Sequence, residues 1–290
     1  MSLRKTLALA AALILTVPAA AVAQDFTKSG IFENGKSFPY HYLVKFWRNN
    51  PPGTTKGKTD DERAPGLITR KPVLNVHNSA VPKAEIALIE RKLNIINDAL
   101  YALPPLRDIK GSSLSSTINI TKDGSGRPYA TLLIGAAPLV LSSPATTQTN
   151  GRYFTKSNDV TFLTITFNGE LRRLKSDEVE LMGTYNNVQV QKKGRNYDGF
   201  LVNSTRPVTV TNSETYDDDT YTSLVKNPDF FDRAARPSQL QLLTMEVGAT
   251  KLAAGHEKGT ADETLGASRL LAALYMADWK AIMAQVAAVK

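Results

Sequence analysis

The sequence predicts an α+β fold, a mainly antiparallel β-sheet packed by two amphipathic helices, one central and one C-terminal. Two patterns lead there. Short apolar, β-branched segments separated by turn residues recur between about residues 114 and 247. A stripe of helical period stands on either side of them, at 82–103 and at 261–288.

The chain opens on a different kind of signal. Arg4 and Lys5 precede an apolar run from Leu7 to Val17, followed by Pro18 and the small residues Ala19 to Ala23. Ala21-Val22-Ala23 has the small-x-small form of a signal-peptidase site, so residues 1–23 read as a signal peptide cleaved after Ala23. The run is too short to span a bilayer, and no later segment reaches about 18 apolar residues in a row. The expectation is an exported protein, periplasmic or secreted, with a single domain over 24–290 and no transmembrane segment after signal cleavage.

Within that domain, Tyr40 to Trp47 reads as a strand rich in aromatic and β-branched residues, and Asn49 to Lys71 as a mobile loop without period. A short strand is expected at Pro72 to Asn78. Ile86, Ile89, Leu93, Ile96 and Leu100 then step by three and four along one helix face, while Glu85, Glu90, Arg91, Lys92 and Asp98 are expected mostly away from it. Pro104-Pro105 ends this helix.

Strands follow at Ser116 to Thr121 and Tyr129 to Ile134, around the turn Lys122-Asp123-Gly124-Ser125-Gly126. Val160 to Phe167 runs into Asn168-Gly169, the pattern of a type I′ hairpin with Glu170 to Leu174 as its return strand. Val188 to Gln191, Phe200 to Asn203, Val208 to Thr211 and Leu240 to Val247 complete the expected sheet. The last helix is expected to start at a capping box, Thr260-Ala261-Asp262-Glu263, and to run unbroken with Leu271, Tyr275, Trp279, Ile282 and Val286 on one face.

Composition excludes several function classes. The chain has no cysteine, which removes thiol nucleophiles, cysteine-ligated metals and disulfides. Its net charge of +8 falls to +6 without Arg4 and Lys5, and the remaining positive residues are scattered apart from Arg172-Arg173-Lys175 and Lys192-Lys193-Arg195. Nucleic-acid modules gather charge on one face, so no nucleic-acid partner is expected.

Motifs for chemistry are sparse. There is no H-E-x-x-H, no G-x-S-x-G and no P-loop, and the sequence calls for no cofactor and no metal. Ser223-Leu224-Val225-Lys226 has the S-x-x-K spacing without its companion motifs, and Asp217-Asp218-Asp219 lacks the alternation of a calcium loop. Two candidate sets remain. His256-Glu257, between Gly255 and Gly259, with His77, could supply acid–base chemistry if brought together in the fold. Tyr185, Tyr197, Tyr216 and Tyr221 lie in a segment rich in Tyr, Asn and Thr, residues that hold saccharides or peptides by flat contacts and adaptable hydrogen bonds. The preferred expectation is a non-catalytic binding protein of the envelope or secreted space with a polysaccharide, peptide or protein partner. The alternative is a hydrolase of an envelope polymer.

Overall fold

A computed structural model describes residues 30–50, 57–77, 81–171, 179–216, 219–248 and 254–290; the expected signal segment lies outside them. The strands are β1 (Val73–Val76), β2 (Ser112–Lys122), β3 (Pro128–Pro138), β4 (Thr146–Thr149), β5 (Arg152–Thr155), β6 (Thr161–Phe167), β7 (Val179–Tyr185), β8 (Val188–Lys193), β9 (Asn196–Val202), β10 (Thr209–Tyr216), β11 (Asp219–Lys226) and β12 (Leu242–Val247). The helices are α1 (His41–Asn49), α2 (Asp60–Arg63), α3 (Lys83–Tyr101), α4 (Pro104–Arg107), α5 (Ala254–Glu257), α6 (Gly266–Met276) and α7 (Trp279–Ala288).

Eight strands form one sheet in the order β1-β2-β3-β6-β12-β9-β8-β7, antiparallel except for the β1–β2 pair at one edge. The fold is therefore α+β with a mainly antiparallel sheet. Alternation explains which face is covered. Leu132 and Ile134 of β3, Leu163, Ile165 and Phe167 of β6, and Leu243, Met245 and Val247 of β12 point to one face and are buried there. α3 and α6 pack on that face, with α1 against α6 and α7 against α3. Each fully buried Leu, Ile or Phe in this layer contributes about 1.5–3 kcal/mol. A small second cluster, Phe200, Phe230 and Leu242, sits on the opposite face.

Four expectations need correction. Tyr40 to Trp47 is not a strand: residues 41–49 form α1, whose Leu43, Val44 and Trp47 recur at helical spacing and are buried. Helical spacing of the large apolar residues outweighs their β propensity. Within the segment expected as a loop at 49–71, residues 60–63 form α2 and residues 65–69 hydrogen-bond to β2 and β5. Tyr153 N–H donates to Pro65 O (2.8 Å), Leu67 N–H to Tyr153 O (2.8 Å), Leu114 N–H to Leu67 O (2.8 Å) and Thr69 N–H to Leu114 O (2.8 Å).

Asn168-Gly169 makes no hairpin, because β6 pairs with β3 and β12, and of the expected return strand Glu170 to Leu174 residues 172–174 lie outside the described residues. The C-terminal helix is two helices bent by 71°. Asp278 caps α7 by accepting from Ala281 N–H (3.0 Å), while Asn186 Nδ2 donates to Tyr275 O (3.1 Å) and Ala277 O (2.8 Å), satisfying carbonyls at the end of α6. The box at Thr260 does not form, since Asp262 instead holds the Thr264 N–H and hydroxyl. Among the described residues no single helix is long and apolar enough to cross a membrane, though the bent α6–α7 pair passes by length and composition.

Candidate functional site

A cleft of about 410 Å³ opens between α3, the end of α7 and the loop Arg236–Leu240. Leu88, Leu240, Met283, Val286 and Val289 form its apolar wall, and Lys92, Asn203, Arg236, Ser238, Gln239 and Lys290 its polar groups. Its size lies in the range of small-ligand sites, which run from about 300 to 1,000 Å³.

The loop wall is fixed by four side chains from three other places in the chain. The Glu85 carboxylate takes Arg236 Nε (2.9 Å), Arg236 Nη2 (2.5 Å) and Ser238 N–H (2.9 Å). Lys92 Nζ donates to Ser238 O (2.7 Å), Asn168 Nδ2 to Gln239 O (2.8 Å) and Asn203 Nδ2 to Leu240 O (2.9 Å). A loop held at three successive carbonyls is preorganised, so a ligand would meet a formed wall.

Electrostatics single out two side chains of α3. Burial by itself would raise the Glu85 pKa, but the hydrogen bonds from Ser238 and Arg236 outweigh it and hold the carboxyl below its ordinary 4.5. Burial lowers the Lys92 ammonium below its ordinary 10.5, with Glu85 opposing. Glu85 and Lys92 are each only 7% exposed, so neither lies away from the packed face as the sequence suggested. Their spacing of seven residues puts both beside Ile89 and Ile96. Two opposite charges embedded in an apolar stripe were the signal available in the sequence.

The histidines are placed apart. His256 is 1% exposed, with Nε2 3.0 Å from Ser268 Oγ. That hydroxyl donates its own proton to Asp262 O (2.6 Å), so Nε2 is the donor to Ser268. A serine nucleophile requires the reverse proton order and access to substrate, whereas Ser268 is fully buried. The pair ties α6 to the segment before it. Glu257 points elsewhere, to Lys192 Nζ on β8 (3.6 Å) and Arg195 Nε in the β8–β9 turn (3.9 Å). His77 is exposed at the end of β1, with its backbone N–H on Ile120 O.

Of the tyrosines, Tyr185 and Tyr197 are buried at 1% and 6% exposure, in an aromatic cluster with Phe38, Tyr40 and Tyr275. Their rings are part of the core, because β7–β9 turn this face toward α1 and α6. Tyr216 and Tyr221 lie on the β10–β11 hairpin, opposite Asp219 and Glu214. Ser223 and Lys226 of the S-x-x-K pattern lie on the strand β11 and not one turn apart on a helix. Among the described residues no three His, Asp or Glu side chains converge as a metal site.

No protein family, curated protein or solved structure matches the chain.

Proposed function

We propose that this is a non-catalytic binding protein of the envelope or secreted space, which engages a polymer or protein partner by receiving part of it in the α3–α7 cleft. The observation that carries the reading is the cleft itself: apolar walls around a buried ammonium, beside a loop fixed in place by Glu85, Lys92, Asn168 and Asn203. Export is supported by the Arg4-Lys5, Leu7–Val17 and Ala21-Val22-Ala23 pattern. The buried, wrongly ordered Ser268–His256 pair supports a binding role over hydrolysis.

The test uses a neutral apolar fluorophore, N-phenyl-1-naphthylamine, with the intact chain and with Ala287→Trp, which places an indole at the exposed mouth of the cleft. Saturable binding to the first and at least tenfold weaker binding to the second are expected. Equal binding to both would remove the cleft from the account.

A further inference from the structure

The cleft's chemistry specifies what it takes. We propose that it binds the carboxylate of an aliphatic ligand, with Lys92 holding the carboxylate and the Leu88–Met283–Val286 wall holding the chain behind it. This rests on the cleft being the binding site.

The argument starts from the donors of Lys92. An ammonium carries three N–H groups and no acceptor. Lys92 is 93% removed from solvent, lines the cleft, and among the described residues makes one hydrogen bond, to Ser238 O at 2.7 Å. Two donors therefore remain without an acceptor among the described residues. A buried cation is tolerated when an acceptor or counter-charge completes its shell. Glu85, the nearest candidate, spends its oxygens on Arg236 and Ser238. The charged side chains that line the cleft, Lys92, Arg236 and Lys290, are all cationic, and with Arg236 paired to Glu85 it is Lys92 that is left to meet a ligand. An anion fits them and a cation does not.

The rest of the lining fixes the remainder of the ligand. Leu88, Leu240, Met283, Val286 and Val289 offer no hydrogen bonds from their side chains. Hydroxyls laid against this wall would go unpaired, at a cost an alkyl chain avoids. A single compact anion on an aliphatic stem satisfies both parts. Acyl chains and apolar peptide C-termini share this chemistry, and the two sources can be told apart.

Calorimetry would compare decanoate, decanol and decylammonium, and acetyl-Leu-Val-Leu as carboxylate and as amide, on the intact chain and on Lys92→Met. Met keeps the length of the stem and removes the charge, and a melting curve on each variant checks folding. The intact chain is expected to bind decanoate or the peptide acid at least tenfold more tightly than the matching neutral ligand, and to reject decylammonium. In Lys92→Met the preference for the carboxylate should disappear while decanol binding stays. Decanoate alone being preferred would assign an acyl ligand, and the peptide acid alone a chain terminus. Equal binding of decanoate and decanol, or a preference that survives Lys92→Met, would overturn the carboxylate assignment and leave the cleft reading standing. If no ligand binds, or if Ala287→Trp changes nothing, both readings fall.

Discussion

Asn168 Oδ1 accepts hydrogen bonds from Gln241 N–H at 2.8 Å and from Leu242 N–H at 3.1 Å, joining residues 73 and 74 apart in sequence at the entry to β12. Its Nδ2 holds Gln239 O, and its backbone adopts φ +55°. One side chain thus satisfies three backbone groups at the cleft wall, both N–H groups in buried bonds. Asn168→Ala is expected to cost about 3 kcal/mol, since each orphaned buried group costs about 1–3 kcal/mol and part of the loop can relax. Asn168→Gly should recover up to about 1 kcal/mol of that loss by relieving the positive φ. Urea denaturation of the two variants measures both quantities, and a Gly variant no better than Ala would contradict the backbone contribution.

Glu85 links stability to acid pH. Its folded pKa is held below the ordinary 4.5, so the native state binds fewer protons there than the unfolded chain. The stabilisation is present above 4.5 and is lost as pH falls through the lower folded value. Glu85→Gln should cost about 2 kcal/mol at neutral pH, tempered by the exposure of Arg236, and should flatten the fall in urea midpoint between pH 5 and 3. An unchanged acid profile would show that the pair contributes nothing to linkage.

His41 acts in a different window. Its Nδ1 is 2.9 Å from the Tyr185 hydroxyl, and its pKa is lowered from 6.5, first by burial and then by Arg48 and Lys45. The folded state favours the neutral ring, so stability is complete above 6.5 and declines as pH falls below it. His41→Gln should reduce the loss of stability between pH 7 and 5 that the intact chain displays. Thermal melts across that range provide the comparison.

His256 and Glu257 should separate under mutation. His256→Ala removes a buried ring and its link to Ser268, an expected loss of about 2–3 kcal/mol. Glu257→Gln removes only part-exposed ion pairs at 3.6 and 3.9 Å and should cost less than about 1 kcal/mol. Neither should alter binding in the cleft. A loss of function in His256→Ala at preserved stability would reopen the catalytic reading of this loop.

Gly66 has no room for a side chain: a Cβ there would stand 1.7 Å from Ser112 O. Gly66→Ala must push the segment 64–69 off β2 and is expected to destabilise by about 3 kcal/mol or more. Susceptibility of that segment to limited proteolysis would report the detachment, and a native melting temperature would refute it.

The sheet and α3 were legible because their signals are local. Ile89, Leu93, Ile96 and Leu100 show their period on inspection, and Leu163, Ile165 and Phe167 show theirs. What escaped depends on partners far away in sequence. Nothing near Asn168 says that its amide will hold Gln241 and Leu242 rather than turn a hairpin. Nothing near Leu274 says that Asn186 will end α6. The cleft lay in between. Glu85 and Lys92 could be placed on the packed face by spacing, but Arg236 and Ser238, which make sense of them there, are some 150 residues further along.

β12 occupies the middle of the sheet while arriving last of its eight strands, between β6 and β9. Until residues 242–247 are available, the sheet exists only as two separate blocks, β1-β2-β3-β6 and β9-β8-β7, each with a bare interior edge. Such edges readily pair with other chains. Folding that waits for a closing strand of long sequence separation is slow, because the loop entropy is spent before the contacts form. For the same reason, any truncation that removes 242–247 should yield aggregates rather than a smaller folded core.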